Sequence, residues 1–148
     1  MGKIYWFTGQ PGAGKTTLAK HLYHHILDYS TEVIHIDGDD LRTMFNNQNY
    51  STMGRYQNVD TAHNIAYFMS KKGFDVVVSL VSPFRAQRTK FKENPNFVEI
   101  YVHTEDIRGR EHFHVVDYEE PLKNNVDIDT TNKSEDDTVN ELFEKLHI

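Results

Sequence analysis

Short apolar runs alternate with stretches of helical period along the whole of this chain. Ile4–Thr8 is apolar and predicts a first strand, which runs into a Gly-rich turn. Residues 15–29 then carry the spacing of a helix. Residues 32–37 predict a second strand and residues 40–45 a short helix, followed by a polar stretch over 46–54 rich in Asn and Gln. Val59, Ala62, Ala66 and Met69 share one helix face and predict a helix over 55–72, closed by Lys71-Lys72-Gly73. Residues 75–81 are continuous and β-branched, the pattern of a strand buried on both faces. A helix over 83–92 and a strand over Phe97–His103 come next. Residues 104–125 are charged and irregular and read as a mobile flap, a short lid. Val126–Asp129 predicts a fifth strand. Ser134 with Asp137 forms a capping-box-like start to a last helix with Val139, Leu142, Phe143 and Leu146 as its apolar stripe. Strands and helices in this alternation predict an α/β fold, a three-layer sandwich in which a five-stranded parallel sheet is flanked by helices.

Composition narrows the classes. A chain of 148 residues suits one domain over residues 1–148. It has no cysteine, so no disulfide framework, thiolate metal site or thiol nucleophile. A net charge of −6 argues against a broad nucleic-acid face and leaves a local basic groove open. The apolar stretches are far too short to span a bilayer, and the first residues show no signal-peptide pattern. The expectation is a soluble cytoplasmic protein. His21 and His25 lie one turn apart but lack the Glu of a His-Glu-x-x-His site, and read as a solvated face. Trp6 and Phe7 read as core, and His112 and His114 on the flap as either phosphate contacts or filler.

Chemistry enters with Gly9-Gln10-Pro11-Gly12-Ala13-Gly14-Lys15-Thr16, which fits G-x-x-x-x-G-K-[ST] residue for residue. Glycines let the backbone turn tightly against phosphate oxygens. The amides then point inward at a helix N-terminus, which favours negative charge. Lys15 is placed to reach the β and γ phosphates of ATP, the Thr16 hydroxyl to bind Mg²⁺, and Thr17 to touch the α phosphate. The sandwich is therefore expected to be that of a P-loop nucleotide kinase. Asp106-Ile-Arg-Gly109 and Asn132-Lys133-Ser134-Glu135 imitate the guanine-nucleotide switch patterns, but they lie too close together and the second sits on a helix cap.

Phosphoryl transfer needs a carboxylate near the acceptor hydroxyl and cations against developing charge. Asp37 and Asp39 fall at the carboxyl end of the second strand, where open α/β sheets bind ligands. Arg42 follows within a helical turn and suits an anionic acceptor.

Four segments resemble the adenylylsulfate kinase family, which phosphorylates the 3′-hydroxyl of adenosine 5′-phosphosulfate (APS) to give 3′-phosphoadenylylsulfate in sulfate activation. They are Trp6-Phe7-Thr8-Gly9 leading into the loop, Ile36-Asp37-Gly38-Asp39-Asp40-Leu41-Arg42, Gly54-Arg55-Tyr56-Gln57-Asn58-Val59, and Val81-Ser82-Pro83-Phe84-Arg85-Ala86-Gln87-Arg88. The last is the most specific of them. The resemblance implies that Asp39 is the base, and that Asp37 assists through Mg²⁺ or the acceptor. It implies Arg42, Arg55 and Asn58 on the phosphosulfate and sugar, and Tyr50 where the family stacks a Phe on the acceptor adenine. Val81, Ser82, Pro83 and Phe84 are implied to line the acceptor pocket. Phe113 is implied on the lid, and Arg108 or Arg110 on the ATP adenine. Arg85 and Arg88 are either part of this signature's function or solvated helix cations. Family members commonly dimerise, which implies a homodimer.

The chain also departs from the family. Only Glu111 and His112 separate Arg110 from Phe113, where the family has a longer Lys-rich stretch, and Asp60-Thr61 stand where it has Arg-Arg. A shorter lid excludes water less well and leaves room for another acceptor. The rival readings are a kinase of a different nucleoside or polynucleotide hydroxyl, and a non-catalytic nucleotide-binding module.

Overall fold

The computed structural model describes residues 1–148. Five strands, β1 (Ile4–Thr8), β2 (Val33–Asp37), β3 (Asp75–Ser79), β4 (Phe97–His103) and β5 (Val126–Asp129), form one sheet in the order β2-β3-β1-β4-β5. Every neighbouring pair is parallel. The expected five-stranded parallel sheet is therefore the one formed. β1 lies at its centre, and the chain crosses from one side of β1 to the other between β3 and β4, the kind of switch point where such sheets bind ligands.

Alternation along β1 divides the core. Tyr5 and Phe7 face a cluster built with Leu18, Leu22 and Ile26 of α1 (Lys15–Leu27). Val139 and Leu142 of the last helix, Glu135–Leu146, complete it. Ile4 and Trp6 face the opposite cluster, with Val59, Ala62 and Ala66 of the long helix Thr52–Lys71 and Phe91 of the helix Arg85–Phe91. In chain order the helices are α1, α2 (Gly38–Met44), α3 (Thr52–Lys71), α4 (Arg85–Phe91) and α5 (Glu135–Leu146). No helix is long and apolar enough to cross a membrane.

Boundaries moved for local reasons. α3 begins at Thr52, ahead of the expected Arg55, because Ser51 caps it: its Oγ accepts the Gly54 N–H at 3.2 Å. β3 stops at Ser79 and α4 waits until Arg85, because Ser82 turns the chain in the left-handed region (φ 48). α5 starts on the predicted cap, with Ser134 Oγ accepting the Asp137 N–H at 3.1 Å.

The flap differs from the mobile segment expected over 104–125. Its second half is anchored: Val115 is buried, Glu119 N–H donates to Pro83 O at 2.9 Å, and Tyr118 Oη meets Thr8 Oγ1 at 2.9 Å. Its first half holds a single short turn, Glu111–Phe113, and turns Ile107 to water.

Candidate active site

The phosphate loop is shaped by two glycines. Gly14 caps α1 in the left-handed region (φ 105, ψ 9), where a side chain is disfavoured. At Gly12 (φ 85) an added β-carbon would come within 2.9 Å of Arg110 Cβ. The amides of Gly14, Lys15 and Thr16 stand at the open first turn of α1, without helical acceptors of their own. Of the loop residues expected to bind nucleotide, Pro11, Gly12, Gly14, Lys15, Thr16 and Thr17 line the cleft. Gly9, Gln10 and Ala13 support the loop from behind. Gly9 N–H donates to Val81 O at 3.3 Å and Ala13 N–H to Gln10 O at 3.2 Å, so neither amide is free for phosphate. The Gln10 side chain is clamped to the flap, donating to Val115 O at 2.7 Å and accepting from Val115 N–H at 2.8 Å.

Lys15 is 8 % exposed and donates to Gln10 O at 3.3 Å. Burial pulls its ammonium down to about 8, against the opposing pull of Asp37 and Asp39, while Arg110 adds to the lowering. Two acids and an arginine thus act on one buried amine. Burial pushes the Asp37 carboxyl up and Asp39 adds to this, while a hydrogen bond from Ser79 works the other way. Neither Asp37 nor Asp39 forms an ion pair with the chain, and the Thr16 hydroxyl makes no hydrogen bond to it. Apart from the Ser79 hydrogen bond to Asp37 Oδ1, these hard oxygens are unengaged by the chain and suit Mg²⁺, which keeps several waters and takes one or two protein ligands beside phosphate.

The same cleft, ≈ 1150 Å³, carries the acceptor candidates Arg42, Tyr50, Arg55, Asn58, Val81, Ser82, Pro83 and Phe113 in its lining. That exceeds the roughly 300–1000 Å³ of an ordinary single-ligand pocket. Phe84 is a correction: its ring is not in the lining but packs on Tyr56, centroids 5.7 Å apart, as the residue before α4. Arg42 folds back, its guanidinium 4.0 Å above the Tyr50 ring and donating to Asn47 O and Asn49 O. Arg108 is spread over loop carbonyls: Gly12 O and Ala13 O at 3.2 Å, Thr130 O at 3.0 Å, with Asp106 as ion-pair partner at 3.1 Å. Arg110 lines the cleft over Phe113, its guanidinium 5.1 Å from the ring. His112 and His114 line it too.

Sequence reasoning missed the frame behind the Ser82-Pro83 loop. Arg88 is 0 % exposed, so it is no solvated helix cation. It pairs with Glu99 at 2.7 Å and donates to Ser82 O and Glu119 O. Trp6, expected as core, also donates from its indole to Ser82 Oγ at 3.2 Å. Arg85 donates to Glu120 O at 2.7 Å. The available signal was Glu99, a carboxylate within the otherwise apolar run of β4. His21, by contrast, meets Glu135 at 2.7 Å on the surface, as a solvated face allows.

The model of the adenylylsulphate kinase family matches residues 1–112. The adenylyl-sulfate kinase of Pseudomonas aeruginosa is 30 % identical over 165 residues, covering 97 % of this chain and 84 % of that protein. That of Oceanobacillus iheyensis is 28 % identical, covering 97 % and 83 %. An APS kinase of Mycobacterium tuberculosis, solved in complex with AMPPNP and APS, superposes with a TM-score of 0.83 at 22 % identity, over 99 % of this chain and 98 % of that one, and so shares the fold. With the phosphate loop, the acidic strand end and the Val81-Ser82-Pro83 segment brought to one cleft, this chain belongs to the adenylylsulphate kinase family.

Proposed function

We propose that this protein transfers the γ-phosphoryl group of ATP to the 3′-hydroxyl of APS. One observation carries the reading: a single cleft is lined by the phosphate loop, by Asp37 and Asp39, and by Tyr50, Arg55 and Asn58. The loop amides and Lys15 hold the β and γ phosphates. Thr16 and Asp37 would hold Mg²⁺, which would supply positive charge against the phosphate oxygens. Asp39, exposed in the cleft, accepts the proton of the 3′-hydroxyl as that oxygen attacks phosphorus and the bond to ADP breaks. Of Arg108 and Arg110, we assign Arg108 to the ATP adenine. Its guanidinium is held by four partners and walls a recess of ≈ 240 Å³ with Thr17, Thr130 and Lys133. Arg110 remains for the phosphoryl group. Arg55, Asn58 and the Ser82-Pro83 backbone take the sugar and phosphosulfate.

The test is ATP consumption with Mg²⁺, with and without APS, alongside nucleosides and 5′-hydroxyl oligonucleotides. Stimulation by APS alone supports the reading; stimulation by another acceptor and not by APS overturns it.

Asp39→Asn is expected to lower kcat by about 10²-fold, within the range of general-base catalysis. ATP affinity, measured by calorimetry with a non-hydrolysable analogue, should stay as it was. An Asp39→Asn enzyme of full activity would remove Asp39 from the mechanism. Tyr50→Ala is expected to raise the KM for APS by about tenfold, one base-stacking interaction, with the KM for ATP unchanged. Equal effects on the two constants would contradict the stacking.

The reading includes self-association. Met44, Phe45 and Met53 are exposed around the connection from α2 to α3 and offer apolar side chains to a second copy. Sedimentation of the purified chain is expected to show dimers, and a monomer at all concentrations would refute this.

A further inference from the structure

Parallel pairing of β2 and β3 sets Asp37 opposite Ser79, and His35 opposite Val77. Residues two apart on a strand share a face, so His35, Asp37 and Ser79 stand together on one side of the sheet. Their side chains connect. His35 Nε2 lies 2.8 Å from Ser79 Oγ, and Ser79 Oγ donates to Asp37 Oδ1 at 3.2 Å. A serine hydroxyl has one proton to give. Because Ser79 gives it to the carboxylate, Oγ must accept from His35, which fixes the hydrogen of the imidazole on Nε2. The chain of donors runs one way, from His35 through Ser79 to Asp37.

Ser79 is buried and lines the cleft together with Asp37, at the last position of its strand. Carboxylate torsions are broad, so an Asp at the end of a strand does not orient itself. Tying Oδ1 to a hydroxyl that is itself held by an imidazole removes that freedom. We propose that His35 and Ser79 are positioning residues, a relay that orients the Asp37 carboxylate for the metal–nucleotide complex. The proposal rests on Asp37 as a magnesium ligand, and the experiment separates the two.

The experiment compares Asp37→Asn, Ser79→Ala, His35→Phe and His35→Gln in the full chain. The measurement is Mn²⁺ affinity in the presence of a non-hydrolysable ATP analogue, by electron paramagnetic resonance. The magnesium dependence of phosphoryl transfer and the thermal midpoint are read alongside. Ser79→Ala is expected to weaken Mn²⁺ and to raise half-saturating Mg²⁺ by about tenfold, as loss of a partner behind a metal ligand does, with the KM for APS unchanged. His35→Phe should move both in the same direction at an unaltered midpoint. His35→Gln restores a donor near the Nε2 position and should return both to the parent value. Asp37→Asn with parent Mn²⁺ affinity overturns the metal reading and the relay with it. A weakened Asp37→Asn beside an unaltered Ser79→Ala overturns the relay alone. His35→Gln as weak as His35→Phe does so too, and the His35 pair decides the matter if Ser79→Ala folds poorly.

Discussion

Lys15→Met is expected to lower phosphoryl transfer by about 10³-fold or more, the scale on which a cation aimed at the transferring group acts. The same substitution should leave the thermal midpoint unchanged or raise it. Burial holds the ammonium at about 8, below its ordinary 10.5, so the fold disfavours its charged form. Methionine fills similar volume without that penalty. The sign of the pH dependence follows. Between about 8 and 10.5 the unfolded chain binds a proton that the native one has released, so stability from this group rises with pH across that window. That rise should be absent in Lys15→Met. Free enzyme above pH of about 8 carries an uncharged Lys15, so kcat/KM for ATP should fall there. Differential scanning calorimetry and steady-state rates from pH 6.5 to 10, values chosen to bracket roughly 8, check both parts. A destabilised Lys15→Met protein, or one with residual activity near the parent, would contradict the assignment.

Arg88→Met is expected to destabilise the fold by about 3–5 kcal/mol, the usual result of removing one partner from a buried ion pair. Glu99 is 2 % exposed by its side chain and would keep only Lys92, at 2.8 Å, whose side chain is 20 % exposed and offers a single ammonium in place of the guanidinium. The carbonyls of Ser82 and Glu119 would lose their donor as well. For a chain of this size the midpoint should drop by roughly 6–20 °C. Replacing both partners, Arg88→Met with Glu99→Leu, should recover much of that stability, because no buried charge is left unpaired. It should not restore the parent KM for APS, because the Ser82 carbonyl still lacks its guanidinium donor and the loop is left with the contacts from Trp6 and Thr8. Recovery of both would reduce Arg88 to a packing residue.

How far the sequence reaches can be seen residue by residue. The phosphate loop is a local device, fixed by Gly12, Gly14 and Lys15 within a few positions, and β1, the loop and α1 formed where their pattern placed them. Tyr50, Arg55 and Asn58 carry no mark in their own spacing; the family resemblance named them, and the fold brings them to the cleft. The start of α3 escaped because Gly54 looks like a helix breaker. It is a glycine because an added β-carbon would lie 2.2 Å from Asn49 O, inside the turn that Ser51 caps. Glu99 is opposite Trp6 in the β1–β4 register and Arg88 lies on another element. Only the folded sheet shows that each is the other's counter-ion. His35, Ser79 and Asp37 likewise meet through strand register, which no window along the chain contains.

The double hydrogen bond between Gln10 and Val115 ties the flap to the phosphate loop. Two such bonds, at about 0.5–1.5 kcal/mol each, bias the flap toward its seated arrangement by roughly 5- to 150-fold. With the flap hung on the phosphate loop itself, substrate entry and product release alike must work against these two bonds.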